Sequence, residues 1–362
     1  MGTQLKTQEH TRRLKKRSLT LDILRILSAF WVVSFHWSGR GGFYPILKDQ
    51  YDIAWWPSFL NPISKCGYLG VDVFFVLSGA VIARSALNSN PKRFAESRFL
   101  RLFPVYFLST IIAIVITPIA AVGFNRSHDL FGVTGLQFWV GGPTIVGTSW
   151  TLPYEIGFYF LVYLAIIYNS RKRLLFGPNE LFNFLATWLL LSILASDLNF
   201  KPITFLTIQG FGPYFILGAC LSQMNDFKNS KKFAIMFAIS LTLSGKELLS
   251  RVPHVHHALI FSALLLFVIV IIILTSNFVD LSKYLSPINA PVATLSLMTY
   301  PIYLLHETVG MSVISELNKN GVSIKISYLT VFLSVTGVSW ISVKFYEPFC
   351  INTYKRFFSR QT

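Results

Sequence analysis

The chain has 362 residues, of which 53% are hydrophobic, 15% aromatic and only 13% charged, and its mean hydropathy is +0.54. Soluble domains carry about 25% charged residues, so this composition excludes an ordinary soluble domain and predicts many membrane-spanning helices. The net charge of +16 comes from short Lys and Arg clusters between apolar runs, a positive-inside pattern that argues against a nucleic-acid-binding surface.

Ten apolar runs of near-spanning length predict ten transmembrane helices. We place these helices at 20–38, 68–86, 103–122, 150–168, 181–196, 204–222, 233–250, 257–275, 288–312 and 325–346. With the N-terminus inside, 21 Lys and Arg residues fall in inner segments and nine in outer segments. This imbalance predicts that both termini are cytoplasmic and that the protein is an all-α polytopic membrane protein with about ten helices around a polar cavity.

One membrane domain covers most of the chain. We expect a basic cytoplasmic N-tail at 1–19, a transmembrane domain at 20–346 and a basic cytoplasmic C-tail at 347–362. The first apolar run holds two charged residues and no small-residue cleavage site follows it, so it is predicted to be a retained helix. The three cysteines lie far apart without a CxxC spacing, which predicts no metal site and no disulfide framework.

The first predicted helix carries Asp22, Arg25 and His36 inside an otherwise apolar run. Eleven helical steps from Arg25 to His36 return to within about 20° of the starting direction, so both side chains share a face roughly 16 Å apart along the axis. Asp22 falls on the same stripe. Ionisable side chains in membrane helices usually face a bundle interior or a wet cavity and mark function.

Further polar residues are expected at a similar depth in three other helices. The predicted topology places Asp72, Glu155 and the Tyr303 to His306 segment in the outer halves of their helices, as it does His36. Convergence into one polar cavity is the least costly arrangement for these groups. The alternative interpretations are helix capping for Asp72, helix anchoring for Glu155, an aromatic belt for the tyrosines and helix packing for His36.

A second cluster lies before Pro104, where Arg98 and Arg101 are three residues apart in a predicted cytoplasmic loop. Two adjacent guanidinium groups can bind phosphate through bidentate hydrogen bonds. The alternative is an ordinary topogenic cluster near anionic lipid. The spacing alone does not decide between these two interpretations.

Taken together, these motifs resemble the integral-membrane acyltransferase 3 family, and they occur in family order between residues 20 and 310. The matching blocks are Asp22-x-x-Arg25 with His36, Gly70-Val-Asp-Val-Phe-Phe-Val-Leu-Ser-Gly79, Arg98-x-x-Arg101-Leu-x-Pro104, Trp150-x-Leu-x-x-Glu155 and Tyr303-Leu-Leu-His306. The segment at 150–155 is most similar to the branch that O-acetylates exopolysaccharide and lipopolysaccharide.

The resemblance implies a fold of about ten transmembrane helices and transfer of an acyl group, usually acetyl from acetyl-CoA, to a hydroxyl of a surface glycan or its lipid-linked precursor. It also implies that His36 is the essential histidine, Arg25 its partner, and Arg98 and Arg101 the arginines that contact the donor. We therefore expect a multi-pass protein of a bacterial inner membrane, without a metal cofactor.

Some family members carry an extracytoplasmic esterase-like domain that finishes the transfer. Here we expect the membrane domain itself, or a separate glycan-assembly partner, to complete it.

The predicted depths suggest a mechanism. Arg98 and Arg101 would hold the phosphates of acyl-CoA, and the pantetheine arm would pass Arg25 to bring the thioester to His36. A neutral imidazole can act as a general base on a sugar hydroxyl or attack the thioester itself.

Four further residues are candidates for supporting roles in the same reaction. Asp72 or Glu155 would orient the His36 ring, as the acid of a catalytic triad does. Tyr303 or His306 would donate a hydrogen bond to the developing oxyanion.

Two other functional classes fit part of the pattern. A transporter or flippase of lipid-linked sugars also buries charges in several helices, and a non-catalytic scaffold of a glycan-assembly complex needs no reactive histidine. Neither class explains why Arg25 and His36 share a face of a helix near a pair of cytoplasmic arginines. The expected partners are membrane lipid, acyl-CoA and a glycan acceptor, with no nucleic acid.

Overall fold

The computed structural model describes residues 18–39, 61–117, 134–135, 144–194, 207–208, 210–223, 231–251 and 286–358. Within these ranges every regular element is helical and there is no strand. Five segments are long and apolar enough to cross a membrane, at Leu19–Trp37, Gly67–Ala86, Pro91–Ile116, Gly147–Arg171 and Ile324–Phe358. The chain is therefore an all-α polytopic membrane protein, as predicted. The total of ten spans and the cytoplasmic location of both termini stay predictions.

Twelve helices are numbered here in chain order over the described residues. They are α1 (Leu19–Ser34), α2 (Asn61–Lys65), α3 (Gly70–Ala86), α4 (Pro91–Ile116), α5 (Leu152–Arg171), α6 (Pro178–Leu194), α7 (Gly212–Gln223), α8 (Lys231–Arg251), α9 (Asn289–Leu305), α10 (Thr308–Lys319), α11 (Ile324–Ile341) and α12 (Glu347–Phe358). Wider π-helical turns extend α1 over Phe35–Gly39 and join α11 to α12 over Ser342–Tyr346. Short 3₁₀ turns precede α3 and α5, at Gly67–Leu69 and Gly147–Thr151.

Most predicted helices agree with the observed ones. The predictions for 20–38, 68–86, 150–168, 181–196 and 233–250 match α1, α3, α5, α6 and α8 to within a few residues. The prediction for 204–222 coincides with α7 from Gly212 onward. The prediction for 257–275 falls outside the described residues.

The third predicted helix begins much earlier than expected. We predicted a start at 103, whereas α4 starts at Pro91 and holds Pro104 in its interior. The side chain of Asn90 accepts a hydrogen bond from a backbone N–H of the first turn, and proline is favourable at the first helical position. Arg98 and Arg101 therefore lie on a helix rather than in a loop.

The ninth predicted helix, at 288–312, is two helices. The chain breaks between α9 and α10 at His306 and Glu307. Side chains from other helices satisfy carbonyl groups at this break, since Thr148 Oγ1 donates to the Tyr303 carbonyl at 2.8 Å and Trp37 Nε1 to the His306 carbonyl at 2.9 Å. A broken helix at membrane depth is tolerated where neighbouring side chains provide such bonds.

The last predicted helix, at 325–346, continues further than expected. α11, its wider turn and α12 form one helical segment that reaches Phe358. The side chain of Glu347 pairs with Arg101, and the Tyr354 hydroxyl donates to Glu96 at 3.2 Å. The beginning of α12 therefore packs against the arginine-bearing part of α4.

α3 and α7 cross in direct backbone contact. A Cβ atom at Gly79 would overlap the carbonyl oxygen of Phe215, and one at Gly218 would overlap the carbonyl oxygen of Val76. Small residues permit such close approach of membrane helices, which associate largely through van der Waals packing. The Leu-Ser-Gly segment that ends at Gly79 thus has a structural role in this fold.

The helices around the polar residues run in two opposite directions. α1 and α9 run parallel, because Ser296 Oγ donates to Asp22 near the start of α1 and His306 contacts His36 near its end. α3 and α5 run the opposite way. We call the level of Arg25, Arg98 and Arg101 the arginine end, and the level of His36, His306 and Glu307 the histidine end.

Candidate active site

A cavity of about 330 Å³ opens between α1, α3, α4, α5 and α9. Its wall combines three arginines with polar and aromatic side chains from several helices. The polar side chains in the lining are Arg25, Ser78, Ser97, Arg98, Arg101, Thr151, Glu155, Tyr159, Thr299, Tyr300 and Tyr303. Three cations and one carboxylate give this lining a net positive charge, which favours an anionic ligand.

Two of the arginines come from successive turns of α4. The guanidinium of Arg98 lies 5.8 Å from the ring centres of both Phe94 and Tyr159. Among the described carboxylates, none pairs with Arg98. Arg101 Nη1 lies 3.7 Å from Glu347 Oε2, which is a long ion-pair distance. The Arg101 guanidinium also lies 5.9 Å from the ring centre of Tyr300. Aromatic rings therefore contact both guanidinium groups, and neither makes a close ion pair with a described carboxylate.

The third arginine is tied to α1 and α9 through a buried carboxylate. Arg25 Nη1 lies 3.5 Å from Asp22 Oδ1, and Ser296 Oγ donates to that same oxygen at 2.7 Å. Asp22 is only 2% exposed. A buried charge needs such partners, so Asp22 fixes the Arg25 side chain at the edge of the cavity.

Glu155 lies inside the cavity and is bound by two hydroxyl groups. Ser78 Oγ donates to Glu155 Oε1 at 2.8 Å, and the Tyr159 hydroxyl donates to the same oxygen. Tyr159 lies one turn further along α5 and also contacts Arg98 through its ring. Glu155 is therefore a cavity carboxylate at the arginine side of Tyr303, and its hydrogen bonds do not reach the histidines.

At the histidine end two imidazoles from different helices meet. His36 Nδ1 lies 3.0 Å from His306 Nε2, and their ring centres are 5.0 Å apart. The same His36 Nδ1 lies 3.1 Å from the Val32 carbonyl. His306 is completely buried, and its Nδ1 lies 3.1 Å from the Ile302 carbonyl. Both rings are thus fixed by backbone carbonyl groups of their own helices.

A carboxylate completes this end. Glu307 Oε1 lies 3.5 Å from His36 Nε2, and the side chain of Glu307 is 6% exposed. Its other oxygen packs against Gly147, where a Cβ atom would approach it to 2.7 Å. The Gly147 N–H donates to Thr308 Oγ1 at 2.8 Å, which holds the turn before α5 against the start of α10. Gly147 therefore leaves the space that the Glu307 carboxylate occupies.

Tyr303 separates the cavity from the histidine end. Its ring centre lies 5.9 Å from that of Phe74 on one side and 5.9 Å from that of His306 on the other. Its hydroxyl is 3.4 Å from Thr151 Oγ1. Tyr303 lines the cavity, whereas His36 is not among the described lining residues. A substrate group that passes from the cavity to His36 must therefore displace or bypass the Tyr303 side chain.

Asp72 binds a partner that the sequence analysis did not identify. Arg251 Nη2 at the end of α8 lies 2.9 Å from Asp72 Oδ1 and also donates to the Tyr214 hydroxyl at 2.9 Å. The Arg251 guanidinium lies 5.0 Å from the ring centre of Phe211. This cluster joins α3, α7 and α8, so the observed contacts of Asp72 are those of a helix-connecting ion pair.

The structure thus divides the predicted site residues into three groups. Arg25, Arg98, Arg101, Glu155 and Tyr303 share the cavity; His36 and His306 form the adjoining pair; and Asp72 lies in a separate cluster. The described contacts of Asp72 and Glu155 are to Arg251, Ser78 and Tyr159, so the hypothesis that either carboxylate orients the His36 ring stays a prediction.

Glu307 is the carboxylate that lies beside His36, and the sequence analysis did not include it among the site residues. It follows His306 directly in the sequence, but neighbours on a straight helix differ by about 100° in direction. Only the break after α9 brings both side chains to His36.

Comparison with known proteins gives one family match and two partial relatives. A family model described as an acyltransferase domain matches residues 19–344. The acyltransferase MdmB of Streptomyces mycarofaciens is 34% identical over 110 residues, which cover 27% of this chain and 28% of that protein. The regulator of hypoxia-inducible factor 1 of Caenorhabditis elegans is 29% identical over 181 residues, which cover 42% of this chain and 35% of that protein.

The chain therefore spans about a third of the length of the curated relatives it matches. No solved structure matches it. The family match covers α1 through α11 and includes all the polar residues of the cavity and of the histidine end.

Proposed function

The chain belongs to the acyltransferase family whose model spans residues 19–344, and from this premise we propose that it is a membrane-embedded O-acetyltransferase that uses acetyl-CoA and a surface glycan. The family match favours an acyltransferase over the flippase and scaffold alternatives. The acetyl-CoA donor, the glycan acceptor and the bacterial inner membrane are proposed in addition to the family membership.

The donor is acetyl-CoA approaching from the cytoplasm. Its nucleotide carries several phosphate groups, and Arg98 and Arg101 on adjacent turns of α4 provide two guanidinium forks that suit phosphate. The loose ion pair between Arg101 and Glu347 leaves donor hydrogens of the guanidinium available. Arg25, on α1, adds a third positive charge to the same cavity.

The pantetheine arm occupies the cavity and carries the thioester toward the histidine end. The cavity wall changes along this direction from arginines to Phe74, Leu152 and Tyr303. This change suits a ligand with an anionic head and a thin, mostly apolar arm. The side chain of Tyr303 turns aside when the acyl group reaches His36.

At the histidine end the acceptor hydroxyl attacks the thioester carbonyl carbon. A C–O bond forms, the C–S bond breaks, and the sulfur leaves with its electron pair to become the thiol of CoA. His36 receives the hydroxyl proton as a general base, a role that typically accelerates a reaction by about 10²–10⁴-fold. The contacts of His306 favour a role in orienting His36 over the role of an oxyanion donor, because its Nδ1 faces the Ile302 carbonyl and its Nε2 faces His36.

The acceptor is a sugar hydroxyl of O-antigen, exopolysaccharide or a lipid-linked precursor, reached from the outer side of a bacterial inner membrane. Membrane lipid surrounds the apolar outer face of the helices, and glycan-assembly proteins deliver or receive the chain. The motif at 150–155 supports this acceptor class through its resemblance to glycan O-acetyltransferases.

The observation that carries the proposal is the arginine-lined cavity, which ends one aromatic ring short of the pair of His36 and buried His306. Mass spectrometry of surface polysaccharide from cells with and without this protein tests the proposal. We expect one additional acetyl group per modified repeat only when the protein is present. Identical polysaccharide in both strains would contradict it.

A further inference from the structure

The positions of the hydrogens on the two histidines follow from their partners. His306 Nδ1 faces the Ile302 carbonyl, which can only accept a hydrogen bond, so this nitrogen carries a hydrogen. The ring is fully buried, and a buried imidazolium without a carboxylate partner is costly. His306 is therefore neutral, and its Nε2 presents a lone pair to His36.

His36 must then donate through Nδ1. Both partners of this nitrogen are acceptors, namely the lone pair of His306 Nε2 at 3.0 Å and the Val32 carbonyl at 3.1 Å. Two acceptors, one on a side chain and one on the backbone, thus require a hydrogen on Nδ1. Nε2 is consequently the nitrogen of His36 whose protonation can change during a reaction.

Among the described residues, the carboxylate beside that nitrogen is Glu307, with Oε1 at 3.5 Å from Nε2. A lone pair and a carboxylate oxygen facing each other in a buried site repel, so a proton between them is required. We propose that the His36–Glu307 pair carries one proton in the resting state, that His306 fixes Nε2 as the exchanging nitrogen, and that Glu307 acts through His36 by taking up this proton when Nε2 receives another.

This inference rests on the proposed acyl transfer and adds the route of the proton to it. As the acceptor hydroxyl forms the new C–O bond, its proton passes to Nε2 of His36 while the shared proton moves onto the Glu307 carboxylate. A proton then passes from Nε2 to the sulfur of CoA as the C–S bond breaks, and the proton on Glu307 is again shared with His36. The proton count of the pair is the same before and after, so no external acid or base is needed.

Neighbouring residues hold the Glu307 carboxylate at its observed distance from His36 Nε2. Gly147 packs against Glu307 Oε2, and the Gly147 N–H is fixed by Thr308 Oγ1. The Trp37 indole donates to the His306 carbonyl, so the break that directs both His306 and Glu307 toward α1 is closed by a hydrogen bond from α1 itself. His36 and Glu307 therefore approach each other through rigid contacts rather than through flexible side chains alone.

Kinetic comparison of Glu307→Gln with Glu307→Asp tests the proposal in membranes that transfer radiolabelled acetyl from acetyl-CoA to polysaccharide. Glutamine has the same size but cannot exchange the proton, so we expect kcat to fall about 100-fold with KM for acetyl-CoA unchanged within about twofold. Aspartate keeps the carboxylate and is expected to recover at least tenfold over glutamine. Glu316→Gln on the same helix is the matched control and should equal the wild type.

Wild-type kcat in Glu307→Gln would overturn this inference while leaving the proposed function intact. Absence of transfer by the wild type would instead reject the proposed function. A second measurement does not depend on any variant at Glu307: ¹⁵N NMR of histidine-labelled protein, assigned through His36→Gln and His306→Gln. We expect hydrogens on Nδ1 of both rings, and a His306 ring with its hydrogen on Nε2 would refute the proton arrangement.

Discussion

The two ends of α1 differ in how their polar groups are satisfied. At the arginine end, Arg25 and Arg101 lie 3.5 and 3.7 Å from their carboxylate partners and line a cavity. At the histidine end, His36 and His306 make contacts of 3.0–3.1 Å to each other and to backbone carbonyls. Long ion pairs that line a cavity suit reversible binding of an anion, whereas imidazole rings held by backbone carbonyl groups suit chemistry that depends on a fixed ring orientation.

The largest expected effect comes from the histidine end. His36→Ala removes the group that exchanges the proton, so we expect acetyl transfer to fall at least about 10³-fold. The protein should still insert, because the side chain contributes little to the apolar surface of α1. Radiolabel transfer together with the amount of membrane-integrated protein measures both properties. Transfer within tenfold of the wild type would assign the chemistry to another residue.

Arg251 is an arginine that lies outside the cavity and makes a close ion pair. Arg251 lies 2.9 Å from buried Asp72, and breaking a buried ion pair destabilises a protein by about 3–5 kcal/mol. We therefore expect Arg251→Met to lower thermal stability in detergent, and Asp72→Asn combined with Arg251→Met to restore most of it. The KM for acetyl-CoA should not change in the double variant. A selective loss of transfer in a stable double variant would show that Asp72 acts in the reaction.

The two arginines of α4 are expected to have a smaller effect, on the binding of acetyl-CoA. Hydrogen bonds to charged groups contribute about 1.5–3 kcal/mol, so Arg98→Ala with Arg101→Ala should raise KM for acetyl-CoA by at least about tenfold. The expected kcat changes less, because the histidine end is untouched. Lys92→Ala with Arg93→Ala, at exposed positions of the same helix, is the matched control. Equal KM in both double variants would identify the cluster as topogenic only.

The smallest expected effect belongs to the residue between the two ends. The Tyr303 hydroxyl makes one long hydrogen bond, to Thr151 at 3.4 Å, whereas its ring closes the cavity. A hydrogen bond of about 1 kcal/mol corresponds to roughly a fivefold effect on kcat, so Tyr303→Phe should stay within about tenfold of the wild type. A loss of about 100-fold or more in kcat would instead identify Tyr303 as an oxyanion donor.

Hydrophobic runs and charge placement predicted several helices closely. α1, α3, α5, α6 and α8 agree with the predicted bounds to within a few residues. The predicted start at 103 was wrong, because α4 begins at Pro91. Asn90 and Pro91 form a favourable helix start, and the charged residues that follow them interrupt the apolar pattern.

The candidate site was predictable only in part, because several of its contacts join helices that are far apart in sequence. The register of Arg25 and His36 on one helix face follows from helical periodicity, and the ionisable residues did indicate a polar interior. The pairing of Asp72 with Arg251 and of His36 with Glu307 depends on contacts between helices far apart in sequence. Glu307 reaches His36 through the break between α9 and α10, whose stabilising donors come from Trp37 and Thr148.

We propose that this protein moves an acetyl group from CoA to a glycan through His36. The most direct test incubates isolated membranes, with and without the protein, with radiolabelled acetyl-CoA and then measures the label on purified polysaccharide. We expect label to accumulate with the wild-type protein and to stay at the background of protein-free membranes with His36→Ala. Equal labelling in the presence and absence of the wild-type protein would contradict it.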